Sequence, residues 1–291
     1  MSVDKSTRST RWHDQIICGD ALDRLRELPD ELVDTIVTSP PYFRQRDYGH
    51  PLQLGQESSS QGYVERLVEI LQECQRVLKP TGSCWLVLGD KYLDGQLQGL
   101  PWRIVLGMQA GGWLLRSDII WQKPNAMPSA VKNRPTTDHE YVFLLTRHTK
   151  YFYDADAIRE PHVTFSSASR MKGGRKHFFE RGSTPEAGKN GGQTNLHDGR
   201  WDQAFHPLGR NKRTVWNVPL SKSRDGHFAV FPEQLVETML AAGSPPAGLV
   251  LDPFLGSGTT ALVAQRLGRH YLGIDCLEQY CQLARERLAE R

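Results

Sequence analysis

The chain has 291 residues and a formal net charge of +3, with 38% hydrophobic and 24% charged residues. This balance is typical of a soluble globular protein, and the length permits one large α/β domain with a sizeable insertion. No apolar run approaches the roughly 20 residues needed to span a bilayer. The polar N-terminal stretch lacks the apolar middle of a signal peptide, so a cytoplasmic protein is expected.

Seven apolar runs rich in β-branched residues predict buried strands. In chain order they are QIIC (15–18), VDTIVTSPPY (33–42), SCWLVLGD (83–90), LLRSDIIWQK (114–123), EYVFLLTR (140–147), GLVLDPF (248–254) and HYLGIDC (270–276). Segments with helical spacing of apolar residues lie between most of them. These are ALDRLREL (21–28), YVERLVEILQECQRVLKPTG (63–82), PWRIVLGMQAGGW (101–113), FPEQLVETMLAAG (231–243), TTALVAQRLG (259–268) and a final helix from Leu277.

The alternation of strands and helices predicts an α/β fold with a mostly parallel sheet covered on both faces. Runs 114–123 and 140–147 follow one another without a helix, so an antiparallel pair is expected at one sheet edge. From about residue 151 to 220 the rhythm stops, and this stretch is rich in Gly, Lys, Arg and Asn. A region of this kind inside an enzyme is usually functional or disordered.

The cysteines and histidines predict no metal site. The five cysteines contain no C-x-x-C pair, and the ten histidines show no ligand-like spacing. Neither a disulfide framework nor a zinc site is therefore expected.

The stretch DPFLGSGTT (252–260) carries the strongest chemical signal. A strand delivers Asp252, a tight glycine turn opens the next helix, and the following strand ends on Asp275. Ligands of open α/β sheets lie at the carboxyl ends of strands, where glycines let the backbone come close. Neither a P-loop nor the dinucleotide fingerprint G-x-G-x-x-G occurs here. A nucleoside cofactor without a pyrophosphate fits, and S-adenosyl-L-methionine is such a ligand; a plain strand–helix turn is the alternative.

The stretch TSPPY (38–42) ends another predicted strand on two prolines, which hold the backbone extended and donate no ladder hydrogen bond. On its own it is either a strand terminator or a rigid platform that presents a serine, two carbonyls and a ring to a ligand.

Together the two stretches resemble the DNA amino-methyltransferases, which methylate cytosine N4 or adenine N6. The order of TSPPY first and DPFLGSGTT last is that of their β class. The resemblance spans about residues 13 to 290 and implies the seven-strand, Rossmann-like class I methyltransferase fold with an inserted target-recognition region. It implies a catalytic half at 13–150, the recognition region at 151–220 and a cofactor-binding half at 221–291.

The resemblance also implies two sets of site residues. The catalytic set, which would hold the target base, is Ser39, Pro40, Pro41 and Tyr42. The set for the cofactor S-adenosyl-L-methionine is Asp20, Thr38, Phe231, Asp252, Pro253, Phe254, Gly256, Ser257, Gly258, Thr259 and Asp275. Within it, Asp275 would take the ribose hydroxyls and Asp20 the adenine amine.

An exocyclic amine is a poor nucleophile because its lone pair is delocalised into the base. The Ser39 hydroxyl and the Pro40 carbonyl could accept its two N–H groups, and alignment for direct in-line transfer would supply most of the acceleration. The base must first be flipped out of the duplex. In the family, serine at this position goes more often with cytosine N4, which is the predicted target; adenine N6 is the alternative. Cytosine C5 chemistry is disfavoured because no cysteine follows a proline.

Residues 166–224 hold 12 Lys and Arg residues against 4 Asp and Glu residues, which favours a surface for DNA phosphates. A solvated loop is the alternative. The candidate DNA-binding cations are Arg44, Arg46, Arg170, Lys172, Arg175, Lys176, Arg210, Lys212 and Arg213. Double-stranded DNA is the expected partner, in the nucleoid, with a cognate restriction endonuclease as a possible companion and the oligomeric state open. A catalytically silent DNA-binding protein, or a methyltransferase for RNA or protein, is the alternative of another class.

Two acidic residues near strand ends have competing interpretations. Asp90 could lie near the cofactor or target amine, or could cap a helix. For His139-Glu140, a structural use is favoured over an acid–base pair.

Overall fold

The computed structural model describes residues 10–161, 208–220 and 232–290. The strands in chain order are β1 (Gln15–Cys18), β2 (Val33–Thr38), β3 (Leu78–Leu88), β4 (Tyr92–Leu93), β5 (Gln96–Leu97), β6 (Leu114–Gln122), β7 (His139–Thr146), β8 (Val215–Asn217), β9 (Leu249–Asp252) and β10 (His270–Asp275). The α-helices are α1 (Ala21–Glu27), α2 (Ser60–Val77), α3 (Leu100–Ala110), α4 (Glu233–Gly243), α5 (Thr259–Arg266) and α6 (Glu278–Ala289), and a short 3-10 helix spans Asp156–Ile158.

One large sheet organises the fold, with the strand order β1-β10-β9-β2-β3-β7-β6-β8. All neighbouring strands run parallel except β7, which is antiparallel to both β3 and β6. The α/β class and the mostly parallel sheet are thus confirmed. The expected antiparallel pair β6–β7 is present, but its place at the sheet edge was wrong, because β8 lies beyond β6.

The sheet has eight strands among the described residues, one more than the seven expected. The additional strand, β8, has only three residues and pairs parallel with β6, Trp121 opposite Trp216. It comes from the stretch 151–220, in which no strand was predicted. A three-residue strand contains too few alternations between apolar and polar residues to be recognised from sequence. The hairpin of β4 and β5 was missed for the same reason.

Alternation along the central strands builds a core on each face of the sheet. On β3, Cys84 and Leu86 belong to the core cluster that includes residues of α1, α2 and α3. Trp85 points to the other face, where its ring lies 6.2 Å from that of Trp216. On this face, the carbonyl of Gly243 at the end of α4 accepts a hydrogen bond from Thr35 Oγ1 at 2.6 Å.

The chain divides into two compact units. Of the described residues, 10–154, 213–220 and 232–290 belong to the first unit and 155–161 and 208–212 to the second. The predicted boundaries 13–150, 151–220 and 221–291 stay a prediction.

Strand direction brings several chain segments to one edge of the sheet. The carboxyl ends of the parallel strands β1, β2, β3, β6, β9 and β10 share this edge, and because β7 runs the other way its amino end lies there as well. Within the described part of the chain, no helix is long and apolar enough to cross a membrane.

Candidate active site

The two sequence motifs meet at neighbouring strands. β2 and β9 pair parallel, with Ile36 opposite Leu251, so TSPPY and DPFLGSGTT leave the sheet side by side. Thr38 Oγ1 donates to Asp252 Oδ1 at 2.7 Å, a buried hydrogen bond between residues 214 positions apart in sequence. Thr38 therefore joins the motifs beneath the surface.

A cavity of about 260 Å³ opens above this junction and collects most of the predicted site residues. Those that line it are Asp20, Ser39, Pro40, Pro41, Tyr42, Arg46, Asp252, Pro253, Phe254, Gly256, Ser257, Thr259 and Asp275. Thr38, Gly258 and Arg44 are not among its lining residues. Phe231 lies outside the described residues.

Asp252 is a buried carboxyl that holds the glycine turn together. Its Oδ1 accepts from the Phe254 N–H at 3.1 Å as well as from Thr38, and its Oδ2 accepts from Thr260 Oγ1 at 2.6 Å. Burial raises the pKa of Asp252 to about 6, against the opposing effect of these hydrogen bonds. A cation in the cavity would favour the ionised form of this carboxyl.

Asp275 connects the turn to the end of β10. Its Oδ2 accepts from the Gly256 N–H at 2.8 Å and its Oδ1 from the Leu277 N–H at 2.9 Å. Burial raises the pKa of Asp275, and these two bonds act against that rise. Because a carboxylate has about four lone-pair positions, Asp275 retains acceptor capacity toward the cavity, as a ribose diol requires.

The two glycines of the turn have different functions. Gly256 lines the cavity at φ +54°, and a Cβ there would meet no described atom within 4 Å, so a ligand can approach the backbone directly. Gly258 has φ +84°, and a Cβ there would lie 2.7 Å from Cβ of Ala284 on α6. Gly258 therefore permits close helix packing. Its part in cofactor binding stays a prediction.

Asp20 faces the cavity while it caps α1. Its Oδ1 accepts from the Leu22 and Asp23 N–H groups at 2.9 and 3.2 Å, and its Oδ2 lies 3.5 Å from Arg66. The cavity wall near Asp275 is aromatic, because Tyr48 and Tyr280 meet edge to face with ring centres 5.9 Å apart. An apolar wall beside acidic acceptors fits the adenosine part of S-adenosyl-L-methionine.

The proline loop, residues 39–42, is held from below. Tyr63 Oη donates to the Pro41 carbonyl at 2.9 Å. Gly55 has φ +99°, and a Cβ there would lie 2.9 Å from the carbonyl oxygen of Tyr42. Among the described residues, no hydrogen bond reaches the Pro40 carbonyl, and Pro40 lines the cavity.

The Tyr42 ring lies against the end of β3. A Cβ on Gly89 would lie 2.7 Å from Cε2 and 3.1 Å from Cδ2 of that ring, so only glycine leaves space for it. The Tyr42 hydroxyl donates to Glu140 Oε2 at 2.7 Å and lies 3.3 Å from Ser39 Oγ. Burial, followed by the negative charge of Glu140, raises the pKa of Tyr42 well above its usual range.

Glu140 and Lys123 also line the cavity, and of these two residues the sequence interpretation missed Lys123. Lys123 Nζ forms a close ion pair with Glu140 Oε1, and their side chains are 13% and 17% exposed. The interpretation of His139-Glu140 as structural stays a prediction, and Glu140 contacts Tyr42 directly. Asp90, in contrast, caps α3, because its Oδ1 accepts from the Leu100 N–H at 3.1 Å.

The predicted DNA-binding cations fall into several groups. Arg46 lines the cavity, whereas Arg44 is exposed and donates to the Ser58 carbonyl at 2.7 Å. In the second unit, Arg210 and Lys212 lie 3.3 and 3.8 Å from Glu160, which engages part of their charge. Arg213 is exposed. Arg170, Lys172, Arg175 and Lys176 lie outside the described residues.

One group of three potential metal ligands occurs among the described residues, at Cys18, Glu278 and Cys281, whose donor atoms lie within 4.8 Å of one another. Glu278 is exposed, and burial raises the pKa of both thiols, which disfavours the thiolate form that a metal requires. The expectation of no metal stays a prediction.

The geometry is that of an α/β fold with a cavity at the carboxyl ends of its parallel strands, and comparison with known proteins identifies the family. The family model described as DNA methylase, for N6 and N4 enzymes, matches residues 33–286. The chain is 37% identical to the type II methyltransferase M.SmaI of Serratia marcescens, over 95% of this chain and 91% of that protein. It is 38% identical to M.Cfr9I of Citrobacter freundii, over 93% and 86%. The chain therefore belongs to the N6/N4 family of DNA methylases.

Solved structures share the fold. The PvuII DNA methyltransferase, a cytosine-N4-specific enzyme, has a TM-score of 0.67 at 20% identity, over 94% of this chain and 86% of that one. A chain from Thermus thermophilus, described as a DNA modification methylase and complexed with S-adenosyl-L-methionine, has a TM-score of 0.61 at 25% identity, over 95% and 93%. The resemblance to the DNA amino-methyltransferases is thus confirmed.

Proposed function

We propose that this DNA methyltransferase modifies the exocyclic N4 amine of cytosine within a specific duplex sequence. S-adenosyl-L-methionine is its cofactor, as in the family to which the chain belongs. When bound, this cofactor supplies a methyl group attached to a positively charged sulfur. The observation that carries the proposal is that the Ser39 hydroxyl and the Pro40 carbonyl belong to residues that line one cavity, and that within the described residues no hydrogen bond reaches this carbonyl.

These two oxygens are suited to an amine substrate. Each would accept one N–H of the target amine, which favours a pyramidal nitrogen with its lone pair directed away from the base ring. The Tyr63 hydroxyl and Gly55 hold the proline loop beneath these acceptors, so little reorganisation is needed when the base arrives. The Tyr42 ring beside them offers a face for stacking.

The residues proposed to hold the cofactor line the same cavity. Asp275 would bind the ribose hydroxyls, and Asp252 would lie near the positively charged part of the cofactor. The glycine turn at Gly256 allows close backbone approach. Because a base inside a duplex cannot reach such a cavity, the proposal includes base flipping.

The choice of cytosine N4 rests on Ser39. A neutral hydroxyl serves the amine of either base, but in the amino-methyltransferases serine at this position accompanies cytosine N4 more often than adenine N6. The relatives M.SmaI and M.Cfr9I are type II methyltransferases. We therefore also propose that the modification protects DNA from a restriction endonuclease that recognises the same sequence.

Nucleoside mass spectrometry of DNA treated with the enzyme and isotope-labelled S-adenosyl-L-methionine tests the proposal. We expect labelled N4-methylcytosine that is absent from reactions with Ser39→Ala. Label in N6-methyladenine alone would reassign the target base, and DNA binding without label in either base would support the catalytically silent alternative. Label that appears in RNA but not in competing duplex DNA would identify RNA, instead of DNA, as the substrate.

A further inference from the structure

The site contains an ordered series of polar side chains that extends beyond the proline loop. It runs from Lys123 at the end of β6, through Glu140 on β7 and the Tyr42 hydroxyl, to Ser39 Oγ at the cavity wall. We propose that Glu140 and Lys123 are positioning residues that orient the hydroxyl protons of Tyr42 and Ser39, so that Ser39 presents lone pairs to the target amine. This inference rests on the proposed function.

The ion pair fixes the first member of the series. Lys123 and Glu140 are both largely shielded from solvent, where an unpaired charge would be unfavourable, so each stabilises the charged form of the other. Lys123 Nζ also lies 4.5 Å from the centre of the Trp121 ring, a favourable position for a cation. Antiparallel pairing places Trp121 opposite Glu140, which keeps the cation and the carboxylate on the same part of the sheet.

The direction of the next hydrogen bond follows from proton count. An ionised carboxylate only accepts, so the Tyr42 hydroxyl donates its single proton to Glu140 Oε2 at 2.7 Å. Tyr42 Oη then has only lone pairs for its other neighbour, Ser39 Oγ, at 3.3 Å. The Ser39 proton therefore points toward Tyr42.

This orientation decides what the target amine meets. With its proton committed to Tyr42, Ser39 Oγ presents lone pairs to the cavity and can accept an N–H. If Glu140 did not accept the Tyr42 proton, Tyr42 could donate to Ser39, and the Ser39 proton could then point at the amine and repel its N–H. The carboxylate thus acts on the reaction through two hydroxyls without touching the substrate.

A double-mutant cycle in single-turnover methylation tests the inference, with wild type, Glu140→Gln, Tyr42→Phe and the double variant. We expect Glu140→Gln to slow methyl transfer about 10-fold, the value of a hydrogen bond to a charged group, with cofactor Kd unchanged. In the Tyr42→Phe background the same substitution should have no further effect, because the hydroxyl through which Glu140 acts is missing. Glu286→Gln on α6, also an exchange of a carboxylate for an amide, is the matched control and should keep the wild-type rate.

Other outcomes would overturn the inference. Equal losses from Glu140→Gln in both backgrounds would mean that the ion pair only supports the fold, and a wild-type rate in Glu140→Gln would remove Glu140 from the reaction. If wild type transfers no methyl group to DNA, the proposed function fails, and a measurement without substrate then decides the positioning role.

That measurement follows Tyr42 by NMR in protein labelled at the tyrosine Cζ carbon. Among the described residues, Ser39 and Glu140 lie within hydrogen-bonding distance of the Tyr42 hydroxyl, and Tyr63 also influences it electrostatically. Glu140→Gln should shift the Cζ resonance of the protonated Tyr42 ring, because the hydroxyl loses its ionised acceptor. An unchanged resonance would show that Glu140 does not accept the Tyr42 proton and would overturn the inference.

Discussion

At the residue scale, Asp252 combines a structural and a ligand-facing role. The residue is only 4% exposed and its carboxyl accepts three hydrogen bonds from within the chain, yet Asp252 lines the cavity. Burial raises the pKa of Asp252 from 3.8 to about 6. The ionised carboxylate is therefore a source of instability in the cofactor-free protein.

The pH dependence of stability follows from this raised pKa. Between pH 4 and 6 the folded protein binds a proton at Asp252 that the unfolded chain does not, so stability falls as pH rises through this window. The change amounts to about 3 kcal/mol, at about 1.4 kcal/mol per pKa unit. Urea unfolding of wild type and Asp252→Asn should therefore show a smaller loss between these pH values in the variant.

The control for this prediction is Asp94→Asn, which removes an exposed carboxyl in the turn between β4 and β5. It should leave the wild-type pH profile of the unfolding free energy unchanged. If the unfolding free energy of Asp252→Asn fell as steeply with pH as that of wild type, Asp252 would not be the source of this pH dependence.

At the element scale, strand direction determines which residues reach the site. Because β7 runs antiparallel to β3, its first residues rather than its last lie at the edge with the cavity, and Glu140 reaches Tyr42. Beyond β6, the short strand β8 completes the sheet, and the chain after it continues to Leu220 at the cavity. The Trp121 indole donates to the Val218 carbonyl at 2.7 Å and attaches this segment.

The stability of this edge depends on one side chain of β8. Trp216 is 4% exposed and packs on Trp85, whereas the preceding Val215 is 53% exposed. We expect Trp216→Ala to reduce the free energy of unfolding by about 3 kcal/mol, as large buried aromatics do. Val215→Ala, on the opposite face of the same strand, should cost less than about 1 kcal/mol. Similar losses for both variants in urea titrations would contradict the packing of β8 on this face.

At the scale of the whole molecule, charge is distributed unevenly along the chain. The stretch 166–224 contributes +8 to a net charge of only +3, so the remainder is acidic overall. Contacts between cations and phosphates release counterions, which makes DNA affinity fall steeply with salt.

This distribution predicts where the salt dependence of DNA binding originates. Replacing Lys172 and Arg175 with Gln should reduce the slope of log affinity against log salt concentration by about 0.9 for each lost phosphate contact. The paired control Arg26→Gln and Arg285→Gln removes the same charge from α1 and α6 and should leave the slope unchanged. Equal changes in both pairs, measured by fluorescence anisotropy, would indicate a general charge effect instead of a local DNA surface.

The sequence by itself determined the α/β class, the succession of the seven longer strands along the chain and the family. Alternating strand and helix periods are local, and TSPPY and DPFLGSGTT are contiguous stretches whose order can be read directly. The resemblance also implied that both motifs serve one site, and the structure brings residues of both to one cavity.

Only the tertiary structure decided which side chains distant in sequence contact one another at the site. The hydrogen bonds from Thr38 to Asp252 and from Tyr42 to Glu140 depend on strand order and strand direction. The close packing of α6 on Gly258 depends on them as well. No local pattern contains this information, because hydrogen bonds and van der Waals contacts depend on positions within a few ångströms. Those positions are fixed only when β2, β9, β3 and β7 pair in one sheet.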